Sequence, residues 1–349
     1  MMGAFADLNI IETIPFDNYD IGILDRPSLP GFRDLVRQAI SGELDLSLNG
    51  VLSAGMHIIF GEFMASTGLL RQLLIIAILG ALMSCLTDAF THKSAGELGF
   101  YVTFLMTVLL AISSFYLSVE ILNGVIGLVS TIMLASIPLM ITIMAMSGNV
   151  VGAASFHPLM FFALQLVTWF VSIVYVPLIL AAAGLDMANH LSVTVKLDKL
   201  AELLRKIADW TLKGIVAAFA LLLTLQRFSA PILSNVALRT THSVVGAIPV
   251  VGNALNAAVD TVVHFGQAAR SGVLVALVLV LCVTLATPLL KLFVLSCVYR
   301  LTAGLIQPVA DKRLVKCMDC AAKYMGQLFY AAALVGVMCV YSVVILLSF

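Results

Sequence analysis

The sequence predicts an all-α, polytopic helical membrane protein with about six to seven transmembrane helices. Three observations predict it. Of 349 residues, 61% are hydrophobic and only 11% are charged, whereas soluble domains carry about a quarter charged residues. Mean hydropathy is +1.09. Long apolar runs recur from Arg71 onward, several of them approaching the roughly 20 residues needed to cross a hydrocarbon core. Such a chain has too few polar groups to cover a water-facing surface. Its net charge is zero, so nothing draws it to nucleic acid.

Residues 1–30 hold Pro15, Pro27, Pro30 and several acids, which predicts an extended tail. Phe32, Leu35, Val36, Ala39 and Ile40 then recur at helical spacing, with Gly42 as a stop signal, and a second amphipathic helix is expected from about 48 to 63. Neither is apolar enough to span. Residues 1–70 are therefore expected to form a tail and amphipathic cap, and 71–349 the membrane domain. Asp7 and Glu12 stand where the apolar core of a signal peptide would be, so this stretch does not read as one; either the chain is unprocessed or the true start lies upstream of Met1.

Residues 73–86 with their flanks make the first span, and 98–122 the second. Residues 124–146 make the third, with a tight turn expected at Glu120 and Asn123 and a kink at Pro138. Residues 158–185 make the fourth, with a kink at Pro177. The character changes at 196–213, "KLDKLAELLRKIADWTLK". Leu197, Leu200, Leu204, Ile207 and Thr211 share one face, flanked by Leu203 and Trp210. Lys196, Lys199, Glu202, Arg205, Lys206 and Asp209 fill the other. That pattern fits an amphipathic helix lying in the lipid headgroup plane, or one packed on another protein chain. Lys199, Arg205, Lys206 and Trp210 are the candidate contacts to membrane lipid or partner.

Residues 215–225 are too few to span alone. They either borrow the end of the amphipathic helix or form half of a broken span. Residues 273–290 make the next span, 292–306 a marginal one, and 325–347 the last. The connections richest in Lys and Arg are 186–213 and 308–323, which the positive-inside rule places in the cytoplasm. Asp311, Lys312 and Arg313 belong to the second of these candidate cytoplasmic loops. The same charge count favours an N-terminus on the inside.

The segment 229–271 departs from the rest. Its centre, "ALRTTHSVVGAIPVVGNALNAAVDTV", interrupts apolar pairs with glycine, proline and charge. Pro249 removes a backbone donor, and Gly246 and Gly252 relax the chain on either side. A broken or re-entrant helical hairpin is expected. A break facing lipid would leave backbone groups unpaired at several kcal/mol, so it must be covered by protein or line water. Arg239 and Asp260 lie on opposite arms, where a hairpin could pair them. Together these five residues are a candidate conduit or structural hinge. The competing reading is a surface hairpin whose charges face water.

No catalytic constellation is evident. The six histidines are scattered, and neither HExxH, a P-loop nor GxSxG occurs. Cys317 and Cys320 form a lone CxxC, too little to argue for zinc or redox work; two thiols at a helix end is the plainer reading. No enzyme activity, metal or cofactor is expected, and any motor would be a separate chain.

The segment quoted above resembles the most distinctive stretch of the stage III sporulation protein AE family. "LVRQAISGELDLSLNGVL", "KSAGELGFYVTFL", "ASFHPLMFF", "KLDKLAELLRKIADWTL" and "YRLTAGLIQPVADKRLVKCMD" agree in order and spacing, so the resemblance covers about residues 32 to 349. It implies a multi-pass component of a secretion-like assembly joining mother cell and forespore in endospore formers, placed in the outer, mother-cell-derived forespore membrane. It also implies partners: other proteins of the stage III sporulation A operon, including a soluble ATPase and ring-forming proteins. The hydrophobic AE component would be the export-gate or permease part. Family members often begin with a signal-like segment, which favours an outside N-terminus, against the charge count. The alternative function is a stand-alone secondary transporter for a small solute. That reading predicts an internal repeat, and none is evident.

Overall fold

A computed structural model describes residues 61, 63–64, 66–89, 93–146, 150–191, 197–245, 252–308 and 310–348. The expected tail and the first amphipathic helix of the cap lie outside the described residues, as do Gly246 and Pro249. Every described element is helical: α1 (Thr67–Ala89), α2 (Lys93–Met146), α3 (Val150–Phe170), a π turn (Val171–Tyr175), α4 (Val176–Leu191), α5 (Asp198–Val245), α6 (Gly252–Ile306) and α7 (Lys312–Ser348). Five stretches among the described residues are long and apolar enough to cross a membrane, and the apolar part of α1, Thr67–Gly80, is shorter. The outer surface is apolar as well: Leu109 is 60% and Phe162 65% exposed. Water would not tolerate so many exposed large hydrophobes, whereas lipid does.

The second and third expected spans are one helix. No turn occurs at Glu120 or Asn123, and α2 runs through both. The reason lies in its buried positions. Phe104, Ala111, Phe115, Ser118, Leu122, Val125, Val129 and Ile132 are buried, and past Ala111 they recur in alternating steps of four and three. That stripe passes under Asn123 and Gly124 without changing phase, so packing holds the helix continuous. Interior Asn or Gly costs a helix only about 0.5–1 kcal/mol.

The fourth span holds the expected irregularity in a specific form. Pro177 has no N–H to give the carbonyl of Ile173, and its ring crowds that carbonyl. The helix widens just before it: the Val176 N–H bonds to the Val171 carbonyl, five residues back. A π turn relieves the clash while keeping backbone groups paired. On α5 the short run 215–225 does borrow the amphipathic stretch, because Asp198–Leu225 is one continuous helical candidate for a crossing. Likewise 273–290 and 292–306 are a single helix through Pro288.

Helix α7 occupies the middle and packs against α6, α2, α4 and α3. Small residues let its neighbours approach: Ala321, Ala322, Ala331 and Ala332 are all buried. In lipid, where apolar contact gains little over tails, such close packing and interhelical hydrogen bonds hold helices together. Ser296 Oγ on α6 donates to the Ala322 carbonyl at 2.8 Å. Ser114 on α2 and Tyr299 on α6 share a buried hydrogen bond of 2.8 Å. A Cβ on Gly336 would stand 3.4 Å from Leu285 Cδ1, while one on Gly184 would meet nothing within 4 Å. Gly336→Leu should therefore destabilise the α6–α7 packing by about 1–3 kcal/mol, and Gly184→Ala should stabilise slightly. Thermal unfolding in detergent reads both, and equal midpoints for the two variants would contradict the packing described.

Candidate functional site

One end of the bundle gathers polar groups where apolar ones would be expected. Cys317, Cys320, Tyr324 and Gln327 lie on one face of α7 at steps of three, four and three. The first three are buried and Gln327 is half-buried. Across from them stand Asp186 and His190 of α4 and Asp209 of α5. Tyr324 Oη donates to Asp186 Oδ2 at 3.1 Å. His190 Nε2 lies 3.9 Å from Asp186 Oδ1, one helical turn away on the same helix. Asp186, His190 and Cys320 each offer one ligand atom, and these three atoms lie within 4.8 Å of one another.

Deeper along α7, Gln327 Nε2 donates to Asp209 Oδ1 at 3.0 Å. The π turn contributes here: Tyr175, its last residue, donates its hydroxyl to the Gln327 carbonyl at 3.0 Å. Gln327 Oε1 is buried without a hydrogen-bond partner among the described residues. Ionisable groups inside a membrane span are costly and are retained where they pair or act. The polar stripe on α7 extends about 15 Å along the axis, at 1.5 Å per residue from Cys317 to Gln327.

The ends of the helices around this site are tied down. Asn189 on α4 hydrogen-bonds the Asp198 carboxylate through its amide nitrogen, and its carbonyl accepts from the Leu197 N–H at 2.7 Å. Asp311 caps α7: its carboxylate accepts from the Arg313 N–H at 2.8 Å, and its carbonyl from the Leu314 N–H at 3.0 Å. Because Cys320, near the start of α7, meets Asp186 and His190, near the end of α4, the two basic connections lie at the same end of the bundle. The positive-inside rule asks that of both.

The residues singled out from the sequence divide into three groups. Asp311 is a helix cap, while Lys312 and Arg313 follow it in the first exposed turn of α7. On α5 the bundle takes a face other than the apolar one assigned to lipid or a partner. Ala201, Ala208 and Phe219 are buried, and Leu204 packs against the core, while Leu200, Leu203, Ile207 and Trp210 remain exposed, Trp210 at 77%. The small alanines allow close helix approach, and Asp209 finds Gln327, so the bundle takes a side that looked polar. Lys199, Lys206 and Trp210 line one open groove with Leu203 and Ile207; Arg205 is half-buried and is not part of it. Lys206 pairs with Glu202 at 2.9 Å on this exposed side, where water screens the contact and leaves it little weight in stability. Arg239 is on α5 and Asp260 on α6, on opposite sides of the interval that holds Gly246 and Pro249, and Gly252 is the first residue of α6.

Comparison with known proteins supplies the lineage. The sequence profile of stage III sporulation protein AE matches residues 31–349. The chain belongs to the stage III sporulation protein AE family. A relative, stage III sporulation protein AE of Bacillus subtilis (strain 168), is 28% identical over 310 residues, covering 88% of this chain and 78% of the relative. No solved structure matches the chain. Membership assigns a stage III sporulation role to a helical membrane protein.

Asp186, Asp209, Tyr324 and Gln327 were not among the sequence candidates. The available signal was an aspartate and a histidine four apart inside the apolar run "LILAAAGLDMANHL", since intramembrane ionisable groups mark sites. For the Asp209–Gln327 contact, Gln327→Leu alone should destabilise by about 1–3 kcal/mol, because it leaves a half-buried carboxylate without its donor. Combining it with Asp209→Leu should recover most of that loss. A double-mutant cycle on detergent unfolding measures the coupling, and strict additivity would mean the contact is energetically silent.

Proposed function

We propose that this chain is a multi-pass subunit of a sporulation-specific, secretion-like channel complex that connects mother cell and forespore. In this reading it sits in the outer forespore membrane, derived from the mother cell, and is needed for late forespore development. Family membership across nearly the whole chain carries the reading. The apolar outer surface and the polar seam inside the bundle support a membrane-embedded transport role rather than a peripheral one. The protein itself is not an enzyme. Its partners are the other stage III sporulation A-operon proteins, among them a soluble ATPase that supplies the energy and proteins that form rings.

The exposed groove of α5 is where the ATPase would dock. Lys199 and Lys206, the latter paired with Glu202, stand beside the apolar Leu203, Ile207 and Trp210, a mixture of charge and apolar surface that suits a protein partner. The residues 239–260 remain the candidate conduit element, with Arg239 and Asp260 on its two arms.

Deletion of the gene in its sporulating host should give forespores that complete engulfment and then shrink and stop late gene expression. Time-lapse volume measurement reads this directly, and normal forespore development would refute the channel role and turn attention to solute transport. Separately, Lys199→Glu, Lys206→Glu and Trp210→Ala together should abolish retention of the ATPase on the purified protein while leaving its unfolding temperature in place. Undiminished retention would remove this groove from consideration.

A further inference from the structure

We propose that Asp186, His190 and Cys320 bind a divalent transition-metal ion, of which zinc fits best, clamping the end of α4 to α7. The ligand atoms come from two helices and lie within 4.8 Å of one another. In tetrahedral zinc sites, metal–ligand bonds of about 2.0–2.3 Å place ligand atoms roughly 3.4–3.6 Å apart. The His190–Asp186 separation is 3.9 Å and the whole set spans up to 4.8 Å, so binding draws the side chains together by up to roughly 1.3 Å, through rotation about their side-chain torsions.

The donor set selects the metal. A thiolate with an imidazole and one carboxylate favours zinc or a neighbouring transition metal over magnesium or calcium, which take all-oxygen shells. Asp186 and His190 stand four residues apart in the last turns of α4, so both side chains project from the same side of the helix. The carboxylate is also held in place from behind. Its Oδ2 accepts from the Tyr324 hydroxyl, while Oδ1 faces His190. That is the division of labour by which outer partners orient metal-binding carboxylates.

Access is provided for. The Asp186 and His190 side chains are 20% and 19% exposed, whereas Cys320 is buried at 5%. An ion can enter from the exposed side, and water can take its fourth position. Coordination replaces the Cys320 S–H bond with a metal–sulfur bond and releases that proton to solvent, so binding weakens as pH falls. Cys317, one turn earlier on α7, is not among the three residues whose ligand atoms converge.

The test uses the full chain, purified in detergent without a histidine tag and stripped of metal. Titration with Co²⁺ should produce a sulfur-to-cobalt charge-transfer band and intense visible bands of a tetrahedral site, saturating at one ion per chain and displaced by Zn²⁺. Cys320→Ser should remove the charge-transfer band and His190→Ala should remove tight binding, while Cys317→Ser should retain both. Tyr324→Phe should weaken the ion by about 10-fold through loss of carboxylate orientation. Zn²⁺ should raise the unfolding midpoint of the wild type and leave that of Cys320→Ser unmoved, which separates a lost site from a lost fold. Wild-type protein that shows no thiolate band and no zinc-dependent stabilisation would overturn the proposal. So would cobalt binding of undiminished strength in both Cys320→Ser and His190→Ala.

Discussion

Lipid offers no hydrogen bonds, so every backbone N–H and C=O within it must find a partner inside the chain. That constraint governs each feature described. It explains why every described element is a helix, and why Pro177 is met by a widened turn with its hydrogen bonds kept rather than by a break. It also explains why serine, threonine and tyrosine hydroxyls on the buried faces are paired. Thr107 and Thr302 return their hydroxyls to carbonyls one turn back, at 3.0 and 2.7 Å. Ser114 and Tyr299 pair across two helices. Polar atoms that satisfy one another become connectors between helices where apolar contact alone gains little.

Around that framework the bundle is arranged on α7. Its alanines and glycines admit α6 closely, and its polar stripe turns toward α4 and α5. The molecule thus has one centre with two kinds of adhesion: dense small-residue packing along most of α7, and hydrogen bonds to acidic side chains within its first half. The acidic residues come from α4 and α5, which are themselves tied together by Asn189. The polar seam, the basic connections and the exposed groove of α5 all belong to the same end of the protein.

Much of this was legible in the sequence. Composition and run length were enough for the helical membrane class, because crossing a hydrocarbon layer demands apolar length and little else. Segment similarity was enough for the family. Span boundaries were less legible. Glu120 and Asn123 look like a turn in isolation, and only the stripe from Phe104 to Ile132 shows that tertiary packing overrides them. The side of α5 that enters the bundle was not legible for a related reason: side-chain polarity separates lipid from water but does not say which polar residue will find a buried partner. Asp209 sat among the expected solvent-facing charges, yet Gln327, 118 positions away, gives it a place inside. The pairing of Asp186 with Tyr324 spans 138 positions, and no local periodicity reports such a contact. Gly246 and Pro249, the candidate hinge, lie outside the described residues.

The π turn has a consequence best expressed as an angle. One residue of an α-helix advances the side-chain direction by about 100°, and a π turn absorbs one additional residue in a single revolution. Everything downstream of Tyr175 is therefore rotated by about a quarter-turn relative to what a regular helix would present. Asp186 and His190 reach α7 only in that rotated frame; with a plain helix from Phe170 onward, they would be aimed around the cylinder toward a neighbouring sector. The widened turn acts as a phase shifter. It lets a span keep one buried side over α3 and expose a differently composed side, taken from the same sequence, to the centre of the bundle over α4.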